Sequence, residues 1–286
     1  MNHIRANGLD FAYIEEGSGP LVLLLHGFPD TAQTWNHQMS ALAAAGYRAV
    51  APFLRGYYPS EIPHDGFYDK ATLAMDVAEM IRALGGGKPV HLVGQDWGAI
   101  ISYAVLAAFP ELIRRAVVMA VPHPAQVAKS MLDAKHIHRS FHWWFFQLPD
   151  LPEKAIAEND LAFIDYLWRY WTSPGHEDAA HLLEVKAMLS KPGVLAATLG
   201  YYRAMLDSTK WDPRLHSVRQ TMDRPIPVPT LALCGSDDLR EELMADQAQY
   251  FCGEYDYRVV AGAGHFLHRE KPVEVTRLML EWLGAA

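Results

Sequence analysis

The chain has 286 residues, half of them hydrophobic, and a formal net charge of -8 at pH 7. That is enough apolar material for a sizeable core, either as one large α/β domain or as a core with an insertion. The acidic balance, with no basic block, argues against a nucleic-acid or anionic-membrane partner. The opening Met1-Asn2-His3-Ile4-Arg5-Ala6-Asn7-Gly8 has no apolar signal core, and no run approaches the roughly 18 to 20 apolar residues of a membrane span. The expectation is a soluble cytoplasmic protein; whether it works as a homodimer is left open. Cys234 and Cys252 lack disulfide-framework spacing and both read as buried free thiols.

Leu9 to Glu15 reads as an edge strand, closed by the turn Gly17-Ser18-Gly19-Pro20. Leu21 to Leu25 is an unbroken apolar run, the pattern of a parallel strand covered on both faces, and it ends in His26-Gly27-Phe28-Pro29. Thr31 to Ala45 has helical patterning that stops at Gly46. Arg48 to Ala51 supplies the next strand before the loop Arg55-Gly56-Tyr57-Tyr58-Pro59. Asp69 to Leu84 is helical, with Ala71, Met75, Ala78, Ile81 and Leu84 on one face, and Gly85-Gly86-Gly87 ends it. A buried strand from Val90 then turns at Asp96 into the helix Trp97 to Phe109. Ala116 to Val121 is a further buried strand, broken by Pro122-His123-Pro124.

This alternation predicts an α/β fold with a mostly parallel, doubly wound sheet. From residue 125 to 224 strand-like runs disappear and aromatics crowd in, among them Trp143, Trp144, Trp168, Trp171, Tyr201 and Tyr202. The expectation is a core formed by residues 1–124 and 225–286 with an inserted helical cap over 125–224. Pro225-Ile226-Pro227-Val228-Pro229 is a stiff re-entry into the strand Thr230 to Cys234. A helix over Arg240 to Phe251, a strand over Tyr257 to Ala261 and a last helix over Val273 to Leu283 complete the core.

The chemistry is centred on Gly94-Gln95-Asp96-Trp97-Gly98. A nucleophile between two small residues at a strand-to-helix turn stands above the sheet edge, where ligands of open α/β sheets bind. Here that residue is Asp, not Ser. A carboxylate attacking saturated carbon gives an alkyl ester, whereas attack on an ester or amide gives only a labile anhydride, so the substrate carries an electrophilic sp³ carbon. Gly235-Ser236-Asp237-Asp238 and Gly262-Ala263-Gly264-His265-Phe266 follow later strands. His265 is the expected base, activating water, and Asp238 its orienting acid in preference to Asp237. His26-Gly27-Phe28-Pro29 fits an oxyanion loop, with the N–H groups of Phe28 and Trp97 as donors. His136, His138 and His142 have no acidic or Cys partner at ligand spacing, so neither a metal nor another cofactor is expected.

Together these motifs resemble the α/β-hydrolase superfamily, and within it the epoxide hydrolases, over nearly the whole chain. The resemblance implies an α/β-hydrolase fold and an epoxide hydrolase that forms an alkyl ester on Asp96 and releases a vicinal diol. The substrate would be a small apolar molecule, with water as co-substrate. It also implies two donors from the cap to the epoxide oxygen, at Tyr202 and at His142, where relatives more often carry Tyr. Phe28, Trp97 and Trp143 are the expected substrate contacts. His142-Trp143 with a cap Tyr also resembles fluoroacetate dehalogenases, whose carboxylate-holding arginines correspond to Trp97 and Ile100 here. Haloalkane dehalogenases share the Asp-Trp-Gly elbow. A dehalogenase using the same nucleophile and a catalytically inactive ligand-binding relative are therefore the alternatives.

Overall fold

The apolar runs become the interior of a single eight-stranded sheet. In the computed structural model, which describes residues 1–284, the strands are β1 (Asn2–Ala6), β2 (Leu9–Gly17), β3 (Leu21–Leu25), β4 (Arg48–Pro52), β5 (Val90–Gln95), β6 (Ile113–Met119), β7 (Thr230–Gly235) and β8 (Tyr255–Val260). Their spatial order is β1-β2-β4-β3-β5-β6-β7-β8. β1 and β2 run antiparallel to their neighbours, and every pairing from β4 onward is parallel. β3, β5 and β7 are buried throughout, as strands with no polar alternation must be.

Several expectations need correction. Leu9 to Glu15 lies one strand in, and the edge is β1, whose Asn-His-Ile-Arg-Ala sequence is too polar to read as a strand by its apolar content. The cue was Asn7-Gly8, both at positive φ (43° and 80°), which close the β1–β2 hairpin in the conformation that Asn-Gly favours. The helix expected over Thr31 to Ala45 opens as a 3-10 turn, Ala32–Trp35, before the α-helix Asn36–Ala44. The one expected over Arg240 to Phe251 is broken into Glu241–Ala245 and a 3-10 turn at Ala248–Tyr250. Between them Gln247 is fully buried, with its Oε1 accepting the His123 N–H at 2.7 Å, and this holds the chain out of helical register. Of the two thiols, Cys234 is buried in β7 but Cys252 is exposed.

Two helix pairs cover the sheet. Asn36–Ala44 packs with Pro272–Gly284, and Lys70–Leu84 packs with Trp97–Ala108. Between β6 and β7 the chain forms helices and turns from Pro124 to Arg219 with no strand among them. This segment is tied down at several points. The Trp168 indole N–H donates to the Pro29 carbonyl (2.9 Å), the Tyr201 hydroxyl to the Arg55 carbonyl (2.7 Å) and Arg219 to Asp69 (3.0 Å). His181 Nε2 lies 2.6 Å from Asp30 Oδ1, and Arg269 pairs with Asp178 at 2.6 Å. No helix among the described residues is long and apolar enough to cross a membrane.

Candidate active site

β5 delivers Asp96 to the sheet edge in a conformation that costs energy. Its φ of 53° and ψ of -118° lie outside the regions open to most residues, at an expense of order 1–3 kcal/mol. The turn is tight enough that a Cβ at Gly98 would strike the Leu25 carbonyl and one at Gly94 would strike the backbone of Gly98. Strand, helix and the preceding loop thus fix the carboxylate before any ligand arrives. The Phe28 N–H donates to Asp96 Oδ1 at 2.8 Å, and Gly27 has no side chain because one would occupy the space of that carboxylate.

His265 reaches the same point from the loop after β8. Its backbone N–H donates to the Trp171 carbonyl (2.8 Å), and its carbonyl accepts from Gln95 Nε2 (3.1 Å). Its Nδ1 is 2.9 Å from Asp238 Oδ2, while Asp238 Oδ1 accepts the Arg240 N–H at 2.7 Å. Asp237 instead faces solvent beside Ser236. On the other side His265 Nε2 stands 3.3 Å from Asp96 Oδ2, close enough for an ion pair yet without hydrogen-bond alignment. Burial works against an imidazolium here, but the hydrogen bond to Asp238 and the negative charges of Asp238 and Asp96 outweigh it and raise the His265 pKa to about 9.

The helical segment closes over this group. Tyr202 and His142 are both buried, with ring centroids 5.6 Å apart, and Tyr202 packs edge-on against Trp97 at 5.2 Å. Burial and the Asp96 charge push the Tyr202 hydroxyl well above its ordinary pKa, so it stays protonated. Burial, with Arg240 and His265 nearby, pushes His142 well below its own, so it stays neutral, and its Nδ1 has no partner among the described residues. The sequence-designated Asp96, Asp238, His265, Tyr202 and His142 therefore meet in one place. Trp97 and Trp143 share an apolar cavity of about 240 Å³ with Ile100, Val121, Val127 and Met205. The Phe28 ring is fully buried against Phe146 and Tyr202 and contributes its N–H rather than a cavity wall.

Comparison with known proteins agrees with this architecture. The model of the alpha/beta hydrolase fold matches residues 20–272. The chain is 31% identical to Epoxide hydrolase 4 of Mus musculus over 98% of its own length and 78% of the relative's. The chain belongs to the α/β-hydrolase family, in its epoxide hydrolase branch. It is also 29% identical to the AB hydrolase superfamily protein YfhM of Bacillus subtilis, covering 98% of this chain and 96% of that one. The crystal structure of an epoxide hydrolase from Vigna radiata superposes with a TM-score of 0.81 at 26% identity, covering 99% and 97% of the two chains.

Two supporting residues had no role assigned from sequence. Glu270 accepts from the N–H groups of Ser173 (2.8 Å), Gly264 (2.9 Å) and Phe266 (3.0 Å), so one carboxylate orders the whole His265 loop. His26 is fully buried and accepts the Leu54 N–H on Nε2 at 3.1 Å, bracing the loop that carries Phe28. Both stand inside motifs visible in the sequence, but an acceptor for backbone N–H groups leaves no spacing signature.

Proposed function

We propose that this protein is an epoxide hydrolase working through a covalent ester on Asp96. The observation that carries the reading is the shared placement of His265, 2.9 Å from Asp238 and 3.3 Å from a carboxylate whose other oxygen is held by the Phe28 N–H. In the first step Asp96 Oδ2 bonds to an oxirane carbon and the carbon–oxygen bond of the ring breaks. Tyr202 and His142, both neutral, donate to the departing oxygen, as a poor leaving group requires.

Alkylation removes the Asp96 charge, which was one support of the His265 imidazolium. The proton that His265 then gives up balances the one gained by the opened oxygen, and His265 becomes a base. Water deprotonated by it attacks the ester carbonyl. The oxyanion develops where the Phe28 N–H already points, with Trp97 N–H as its expected companion, and collapse returns the Asp96 carboxylate and a vicinal diol. Residues 125–224 serve as the cap that keeps bulk water from the ester. Relatives named epoxide hydrolase support the choice of leaving group.

The dehalogenase reading draws on Trp97 and Trp143 walling the same cavity, two indoles that could face a halide. Parallel assays for diol formation from epoxides and halide release from haloalkanes separate the two, and halide release without any diol overturns the proposal. A single turnover in heavy-oxygen water is expected to leave label in Asp96. Absence of both label and product across the panel would point to ligand binding without turnover.

A further inference from the structure

The loop that carries Asp238 also carries a buried cation with no counter-charge. Arg240 is 3% exposed. Its backbone is pinned on both sides: the N–H donates to Asp238 Oδ1 at 2.7 Å, and the carbonyl accepts from the N–H groups of Leu243 and Met244 in the helix Glu241–Ala245. Its side chain has less support. The guanidinium donates to Ser140 Oγ at 3.1 Å and lies over the Trp143 ring, 5.3 Å from its centroid, while Nε has no partner among the described residues. No carboxylate among the described residues pairs with it. The acids nearest in sequence are engaged elsewhere: Asp238 with His265, Glu241 with the Tyr257 hydroxyl and Glu242 with Lys135. A guanidinium taken out of water without a counter-charge costs stability, and one hydroxyl and a π face offset only part of it.

We propose that Arg240 is a positioning residue for the two donors above Asp96: it seats the helix carrying His142 against the Asp238 loop and sets a permanent positive charge behind His142 and Tyr202. Ser140 stands immediately before the helix Phe141–Phe145, and Trp143 lies within it. Arg240 grips both, on either side of His142, and so fixes the backbone that aims this ring at Tyr202. Ser140 is fully buried and its N–H donates to the His136 carbonyl at 2.8 Å, which extends the same hold to the preceding helix, Ala134–Arg139.

The charge acts on the donors as well as on their placement. The titratable groups around His142 are Arg240, His265, His136 and Tyr202. Burial is the main reason that His142 stays neutral, and Arg240 is the largest of the charges that add to it. On Tyr202 the same cation works against the burial that raises the hydroxyl, which makes it a readier donor. Negative charge grows on the opening oxygen in front of these two groups, and a fixed cation behind them favours that charge over the uncharged ring. Assistance to ring opening rests on the function proposed above; the hold on His142 does not.

The test removes the charge in Arg240→Met and Arg240→Gln and keeps it in Arg240→Lys, with terminal epoxides such as styrene oxide as substrates. Loss of the charge should lower kcat by about tenfold with KM little changed, and Arg240→Lys should keep most of kcat. In urea denaturation Arg240→Met should stand close to wild type, because an apolar side chain removes the uncompensated cation, whereas an arginine that merely holds the fold would lose stability there. Arg240→Gln keeps a donor for Ser140 should the methionine variant not fold. NMR titration, with the His142 ring assigned through His142→Gln, should show it taking up a proton at higher pH in the two neutral variants than in wild type or Arg240→Lys. An unchanged kcat in the neutral variants, or an equal loss in Arg240→Lys, overturns the proposal. Absence of diol from wild type with every epoxide overturns the epoxide reading instead. The His142 titration then decides Arg240 by itself, and a midpoint that does not move sinks it.

Discussion

At the scale of single residues, the site turns on how one carboxylate holds one imidazole. The His265 pKa of about 9 depends on both Asp238 and Asp96, so Asp96→Asn should lower it, measurable by NMR titration of the ring. A pKa that stays put in that variant would mean that alkylation does not convert His265 into a base. Because about 9 lies above the ordinary 6.5, protonation of His265 favours the fold. That contribution is complete below pH 6.5 and is lost as the pH rises through about 9, so wild type should lose stability relative to His265→Gln across this window in urea titrations. His265→Gln should also stop after the alkylation step, before any diol is released, with the alkyl ester trapped and visible by intact mass. Under the proposed mechanism Tyr202→Phe would remove one donor to the opening oxygen, and it is expected to lower kcat for an epoxide by about a hundredfold, with KM little changed.

At the scale of elements, the site is made by loops that rigid strands aim. Much of this was legible in the sequence. Apolar runs gave β3, β5 and β7, and the two glycines around Asp96 marked a turn that a Cβ would obstruct. The edge strand β1 was not legible from its apolar content, because its stability lies in backbone pairing rather than in a buried face. Nor was Glu270, whose partners are backbone N–H groups that any residue except proline would present. Its structural weight is open to measurement. Glu270→Ala strands three donors around the His265 loop and should cost about 2–4 kcal/mol in urea denaturation, less than three full charge-assisted hydrogen bonds because all three are only part-buried and water can replace the acceptor. A loss within a few tenths of a kcal/mol would show that the Gln95 and Trp171 bonds to His265 order the loop unaided.

At the scale of the whole molecule, the central relation is between the sheet and the helices that cross its active edge. The aromatic crowding over 125–224 was visible as composition, but its attachment was not, because Asp30 and His181 are separated by 151 residues. Both are buried and only 2.6 Å apart. Burial opposes the Asp30 charge, yet the neighbouring His181 outweighs it and holds the acid down to about 2. With a folded pKa below the ordinary 3.8, this group stabilises the protein above that value and loses its contribution as the pH falls through about 2. His181→Ala would leave a buried carboxylate facing the covering helices, a defect worth about 3–5 kcal/mol when one member of a buried pair is removed. Asp30→Asn in the same chain removes that orphaned charge, so the double variant should regain part of the loss, whereas independent sites would give additive losses. The same pair ties the covering helices to the loop that holds Phe28 against Asp96, through Pro29 and Trp168 as well. His181→Ala should therefore lower kcat/KM at temperatures where the fold persists, and Asp30→Asn should not rescue that loss if the bond itself positions the loop.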